Sequence, residues 1–358
     1  MKVAIVVGTR PEIIKMAPVV RACAERDVPY LLLHTGQHYS YEMDGVFFEE
    51  LGLPVPHTNL SVGSGTQAYQ IGAIVSGIAP IFEREKPDWV LVEGDTNSVL
   101  AAGLAAQKLG MHVGHVEAGL RSYDRSMPEE INRILTDHLS DHLYAPTLRA
   151  QETLHGEGIP GTRVFVTGNT VVDELQLQRP RAEATGVAAR FGGEPKRYAV
   201  ATVHRAENTD REPRLRGIVR GLSAVAEATG LEVLCAVHPR TTQRLQALNL
   251  DWGHGVRPLP PLPYLDFLGL HAQAALTLTD SGGLQEEACC LGVPCVTLRD
   301  NTERPESVDV GANVLVGAGT DAIVAGARRM LGHDGGWQNP FGDGRAAHHI
   351  LDALLGSR

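Results

Sequence analysis

Short apolar, β-branched runs alternate with helix-like segments along the whole of this sequence, and that alternation restricts it to parallel sheets wrapped by helices. In the first half Val3–Val7, Tyr30–Thr35, Trp89–Glu93, His112–Val116 and His142–Ala145 read as strands, with helices starting near Pro11, Thr66, Thr96 and Glu129. Val164–Thr167, Tyr198–Thr202, Glu232–Val237, Ala274–Thr279 and Pro294–Thr297 continue the pattern, and Val314–Val316 closes it. The layout occurs once per half, and 358 residues exceed what one core usually supports. The expectation is an α/β protein of two Rossmann-like lobes, residues 1–168 and 169–344, with a cleft at the carboxyl ends of both sheets. Composition shifts to Arg, Ala, Glu and Gly around 176–197, which reads as a surface helix and loop past the crossover. Arg257 to Pro263 is too proline-rich for a central strand and reads as a rigid loop.

The 32 basic against 42 acidic side chains leave a formal charge of −10. That disfavours nucleic acid or an anionic membrane as a partner, so an anionic ligand needs locally placed charge and backbone dipoles. No apolar stretch is long enough for a membrane span, and the first run is too short for a signal sequence. Five cysteines, an odd number with no C-x-x-C pair, point to reduced thiols in a cytoplasmic setting.

The run Ala274–Leu278 passes into Thr279-Asp280-Ser281-Gly282-Gly283 and then into helix-like sequence. Glycines at the mouth of a helix let its unpaired N–H groups and positive dipole end close on an anion such as a diphosphate, and the following Glu286 and Glu287 suit ribose hydroxyls. A plain strand–turn–helix corner is the alternative. Gly8-Thr9-Arg10-Pro11-Glu12 follows the first strand: Arg10 has the planar fork for a phosphate, and Lys15 lies about a turn further on. This is not G-x-G-x-x-G, which argues against a tightly held NAD. Two strand ends each deliver an acid, Asp95 and Glu117, and paired carboxylates raise one another's proton affinity, as acid–base work requires. Glu129-Glu130 opens a helix whose next turn carries Asn132 and Arg133, while His204 and His238 stand just past strands of the second half. Arg299 to Glu306 is dense in charge, either a solvated loop or a phosphate clamp. Asp137-His138 and Asp141-His142 suggest a metal, but no third ligand is evident and none is expected.

Taken together and in order, these segments resemble the non-hydrolysing UDP-N-acetylglucosamine 2-epimerases. The resemblance covers Gly8 to Glu12, Gly94-Asp95-Thr96, Gly114 to Arg121, Pro128 to Arg133, Thr167 to Thr170, His204-Arg205, Asp280 to Glu287, Arg299 to Glu306 and Asn339 to Gly344. It implies the GT-B-type fold of one glycosyltransferase superfamily, a last helix (345–358) packing back on the first lobe, and a homodimer. UDP-N-acetylglucosamine and UDP would be the ligands, with no cofactor and no metal, and the product would supply mannosamine units for surface polysaccharide. Carried over by position, Arg10, Ser281, Gly282 and Gly283 match diphosphate contacts, Glu287 the ribose contact, and Phe267 a place beside uracil. Asp95, Glu117, Glu129 and His204 match the acid–base set, and Lys15, Arg133 and Arg304 match other binding positions. Leu262 stands where many bacterial members have glutamine, and Gln37 to Asp44 differs from the bacterial segment that helps bind a second, activating substrate molecule. Related readings are an epimerase for a uronate or diacetamido sugar, a retaining glycosyltransferase, and a nucleotide-sugar-binding regulator.

Overall fold

The structure, a computed structural model, describes residues 1–37, 41–191, 193–333 and 335–356, with the backbone alone for 41–44 and 46. Residues 38–40, in the segment that departs from the bacterial pattern, lie outside the described residues. The chain divides into two compact units, Met1–Glu174 with Phe341–Arg358, and Leu175–Pro340.

The first unit is built on a parallel sheet of β1 (Val3–Val7), β2 (Tyr30–His34), β3 (Thr58–Asn59), β4 (Trp89–Glu93), β5 (His112–Val116), β6 (His142–Ala145) and β7 (Val164–Val166). Its strand order is β3-β2-β1-β4-β5-β6-β7. Every residue of β1 and β4 is buried, as continuous apolar runs covered by helices on both faces must be. Between β1 and β4 the order reverses direction, which opens a crevice beyond their carboxyl ends. Thr9 and Pro11 start the helix Arg10–Glu25 there. Gly8 leaves no room for a side chain, because a Cβ would stand 2.0 Å from Ser98 Oγ and 2.3 Å from Thr35 Oγ1.

The second unit repeats the plan with β8 (Tyr198–Thr202), β9 (Glu232–Ala236), β10 (Val256–Leu259), β11 (Leu276–Thr279), β12 (Cys295–Thr297) and β13 (Asn313–Leu315). Their order, β10-β9-β8-β11-β12-β13, places the reversal between β8 and β11. Leu215, Ile218 and Leu222 of the helix Glu212–Thr229 pack with Val233, Leu278, Val296 and Ile323 as its core. Each expected run carries a strand with ends within two residues of those read from the sequence.

One expectation is corrected. Arg257–Leu259, within the run expected as loop, belong to a strand, Val256–Leu259, paired in parallel with β9. Two facts reconcile this with Pro258. The strand lies at the sheet edge, and Gly255 and Leu259 are the residues whose carbonyls accept from Val233 and Val237, so the alternating Pro258 nitrogen faces away from β9. The two-residue β3 is too short to give a sequence signal.

The chain returns to the first unit through a backbone seam. Asn169 N donates to Phe341 O at 2.8 Å, and Gly168 and Gly342 face each other so closely that a Cβ on Gly342 would lie 3.0 Å from Gly168 Cα. The helix Ala346–Gly356 then packs on Arg10–Glu25. Asp173 caps its start, accepting from Ala346 N at 3.1 Å and Ala347 N at 3.0 Å, while Arg26 holds Asp352 at 2.5 Å. Among the described residues no helix is long and apolar enough to cross a membrane, and all five cysteines are free. Asp173→Ala leaves two helix donors without their carboxylate and is expected to cost about 1–2 kcal/mol. The loss should appear as a lower melting temperature with faster amide exchange at 346–349, and unchanged exchange there would refute the capping role.

Candidate active-site residues at the two switch points

In the first unit the polar residues that follow β1, β4 and β5 leave from one sheet edge. Glu12 folds back over its own helix start, where Oε2 accepts from Gly8 N at 2.6 Å and Oε1 from Thr9 Oγ1 at 2.8 Å. Burial pushes its carboxyl up to about 7, against the lowering effect of bonds from Thr96, Thr9 and Gly8. Lys15 is buried on the same helix with its ammonium between two carboxyls: it donates to Glu117 Oε2, and Glu93 Oε1 lies 3.3 Å away. Burial drives the Glu93 carboxyl well above its ordinary value; Lys15 opposes this, and Glu117, Glu12 and Asp95 add to it.

Glu117 adopts φ +66°, a left-handed conformation that costs an L-residue about 1–2 kcal/mol. Asn169 Nδ2 donates to its Oε2 at 3.1 Å, so hydrogen bonds as well as the chain hold it there. Asp95 pairs with Arg133, which also reaches Glu130 Oε2 at 2.8 Å. Asn132 Nδ2 fixes the Asp95 carbonyl at 3.0 Å. Glu130 is buried and gathers the preceding loop, accepting from Ser122 N at 2.9 Å and Tyr123 N at 2.8 Å. Its neighbour Glu129 is half-buried, and its side chain makes no hydrogen bond or ion pair among the described residues. Arg10 lays its guanidinium over the Phe47 ring, 4.9 Å from the centroid.

Asp137, one of the residues that suggested a metal, is committed to the fold: it meets His115 Nδ1 at 2.7 Å, Arg121 at 2.7 Å and Gly119 N at 3.2 Å. Among the described residues no group of three His, Cys, Asp or Glu could hold a metal ion.

In the second unit the fully buried Asp280, just past β11, pins the loop that leaves β8. It accepts from the backbone nitrogens of His204 and Arg205 and from Asn208 Nδ2, all at 3.0 Å. The His204 ring is 38% exposed, with Nε2 3.8 Å from Asp280 Oδ1. Desolvation lowers its proton affinity; Asp280 opposes this, and Arg205, His238 and Arg299 reinforce it, so the neutral imidazole is favoured.

Ser281 is the N-cap of the helix Gly282–Leu291, and its side chain makes no bond to that helix. The glycines behind it are not required by packing. A Cβ on Gly282 would meet only Glu303 Oε2 at 3.6 Å and Arg205 Nη2 at 3.9 Å, and one on Gly283 would meet nothing within 4 Å. Cationic groups stand around this helix start: Arg205 beside Gly282, Arg304 paired with Glu286 at 2.8 Å, and Arg299 held by Glu303 at 2.8 Å and Glu207 at 3.0 Å. Burial alone would raise the Glu303 carboxyl, but Arg299, Arg304 and Arg205 hold it well below the usual range. The segment from Arg299 is therefore a buried ion-pair network, not a solvated loop. His271 gathers Phe267, with ring centroids 5.8 Å apart, and Glu287, whose Oε2 lies 3.7 Å from Nδ1.

The structure thus joins Lys15 with Glu117, and Asp95 with Arg133. It sets His204 on Asp280, which directly precedes Ser281, Gly282 and Gly283, and places Phe267 and Glu287 around one histidine. Sequence reasoning passed over Glu12, Glu93, Glu130, Asn169, Arg205 and Asp280 as site residues. Glu93 had a signal, as a charged residue closing an otherwise apolar strand, and Asp280 had the same strand-end position as Asp95. Cavities of about 290 Å³ (around Phe48, Leu53 and Val55) and 370 Å³ (around Leu245, Trp252 and Pro260) are lined by none of these residues.

The family model for UDP-N-acetylglucosamine 2-epimerase matches residues 21–355. A Methanocaldococcus jannaschii protein named UDP-N-acetylglucosamine 2-epimerase is 48% identical over 99% of both chains. A Methanococcus maripaludis protein of the same name is 45% identical over 100% of this chain and 99% of its own. The crystal structure of the M. jannaschii UDP-GlcNAc 2-epimerase in complex with UDP-GlcNAc and UDP superposes with a TM-score of 0.94 at 48% identity, covering 100% of each chain.

The position of Glu12 predicts a pH dependence. With its folded value near 7 against an ordinary 4.5, the folded protein binds more protons than the unfolded chain between those values. Its contribution is present in full below pH 4.5 and is lost as pH rises through about 7, a change on the order of 3 kcal/mol. Glu12→Gln, which cannot ionise, should lose less stability than the parent across this window in urea melts, and parallel curves would refute the assignment.

Proposed function

The chain belongs to the UDP-N-acetylglucosamine 2-epimerase family, and from that premise we propose that it interconverts UDP-N-acetylglucosamine and UDP-N-acetylmannosamine at C2. The match at 45–48% identity over essentially the full length to relatives of that name carries the reading. The helix start at Ser281, with glycines that packing does not demand and arginines beside it, supports it as a place for a diphosphate.

No carbonyl acidifies C2–H in a 2-acetamido sugar, so the C1–O bond breaks first. Its electron pair leaves with UDP, positive charge builds on the ring, and the C2 proton becomes acidic enough for a positioned base to remove. The resulting glycal takes a proton back on the opposite face of C2 as UDP re-adds at C1. Arg10, Ser281, Gly282, Gly283 and Arg304 stabilise the departing diphosphate through guanidinium charge and helix N–H groups. Glu287 binds ribose and Phe267 lies beside uracil, while Lys15 and Arg133 orient the acids they pair with. Asp95, Glu117, Glu129 and His204 share the proton transfers and the stabilisation of the ring charge. His204 suits a base, because its surroundings favour the neutral ring. The reading carries with it a homodimer, a cytoplasmic setting and the supply of mannosamine units for surface polysaccharide, all resting on family resemblance.

Two outcomes are expected. Proton NMR of the purified protein with UDP-N-acetylglucosamine in D2O, without added metal or NAD, should show the manno epimer appearing with deuterium at C2; epimer without label would refute the elimination route. Gly283→Ala should fold at least as stably as the parent, since alanine outranks glycine in a helix by up to about 1 kcal/mol. Yet it should weaken UDP binding roughly tenfold or more, by calorimetry, as the methyl group enters space meant for the anion. Unchanged UDP affinity would remove the helix start from the site.

A further inference from the structure

The mechanism uses Glu117 and leaves unexplained why a second carboxyl stands against the same ammonium. Glu93 closes β4 and is 2% exposed; its Oε1 lies 3.3 Å from Lys15 Nζ and accepts no hydrogen bond. Glu117 Oε2, by contrast, accepts from Lys15 Nζ and from Asn169 Nδ2. Glu12 on the first helix and Asp95 beyond β4 add negative charge from their own sides. Two buried carboxyls, Glu93 and Glu117, thus meet one buried ammonium, with the buried Glu12 acting on Glu93, and the three cannot all be ionised cheaply. Between the two that touch Lys15, the proton settles on the carboxyl with the poorer set of donors, which is Glu93.

We propose that Glu93 is a positioning residue for Glu117: it carries the proton of this cluster, so that Lys15 commits its charge to Glu117 and keeps that side chain aimed as a carboxylate. Glu93 makes and breaks no bond to the sugar. When rising pH removes its proton, two carboxylates divide Lys15 between them and Glu117 loses its fixed partner. This role rests on the proposed acid–base function of Glu117 and adds a residue to it. The groups facing Glu93 are Lys15 and Glu12 from the first helix, Asp95 from its own strand exit and Glu117 from the neighbouring one.

Glu93→Gln keeps the shape of the protonated acid and cannot ionise. The kcat/KM profile for C2 exchange should fall on its alkaline side in the parent, and in Glu93→Gln that fall should move upward by at least about one pH unit. Glutamate labelled with carbon-13 at the carboxyl gives a readout independent of turnover. The parent should show two carboxyls titrating above the usual glutamate range, one removed by Glu93→Gln and the other by Glu12→Gln. If Glu93→Gln folds poorly, Glu93→Met, neutral and of similar length, should show the same displaced limb. Superimposable profiles, uniform loss of activity at every pH, or both high-titrating carboxyls surviving in Glu93→Gln would overturn the proposal. If the parent itself fails to exchange C2, the functional reading falls and the positioning role with it. If the parent exchanges C2 but its profile does not respond to Glu93→Gln, the positioning role alone falls.

Discussion

Parallel pairing of β1 with β4 and of β8 with β11 is the constraint on which the chemistry in each unit depends. Strands hydrogen-bonded in parallel all end at one edge, and where the order reverses, the chains leaving neighbouring strands turn away from each other. What is left between them is backbone N–H groups and helix starts. That is why Gly8 to Glu12 and Glu93 to Asp95 share one such edge, and His204 and Asp280 to Gly283 another. The central strands must be apolar throughout to be covered on both faces, so the first polar residue after each is held at a defined height. The pattern that makes the sheet also positions the side chains.

The two units handle buried charge in opposite ways. In the first, acids outnumber the cation beside them: Glu93 and Glu117 share Lys15, Glu12 acts on Glu93, and burial holds Glu12 and Glu93 above their ordinary range. In the second, Arg299, Arg304 and Arg205 surround Glu303 and keep it ionised. The first arrangement holds protons on carboxyls above their ordinary range; the second holds its carboxylate ionised below it. His204 is the exception in the second unit, a titratable ring among fixed charges.

Much of this was legible in the sequence because it is local. Strand runs such as VAIVV and WVLVE announce buried parallel strands, and Pro11, Thr66 and Thr96 mark helix starts to within one residue. The strand-end rule then brings forward Asp95, Glu117, His204 and Ser281 without any contact being known. What was hidden is what depends on pairing across long separations. Pro258 forbids a central strand but not an edge strand, and edge position is a property of the whole sheet. Glu93 reads as the end of a strand until Lys15, 78 positions earlier, is seen against it. Glu129 and Glu130 are indistinguishable in sequence, yet Glu130 gathers a loop and Arg133 while Glu129 keeps its carboxylate uncommitted among the described residues.

Residue choice and local geometry agree almost everywhere in this chain, so the places where they part are informative. Gly8 is a glycine because a side chain would collide with Ser98 and Thr35, and Gly168 and Gly342 because tight contacts there combine with φ +84° and +111°. Gly282 and Gly283 have no such reason: their surroundings would accept a methyl group, and a helix favours alanine over glycine. Glu117 is the reverse case, a long charged side chain at φ +66°, where glycine would remove the strain. Folding alone selects against all three. On the proposed function, an anion to be accommodated accounts for the first two, and a carboxylate needed beside Lys15 accounts for the third.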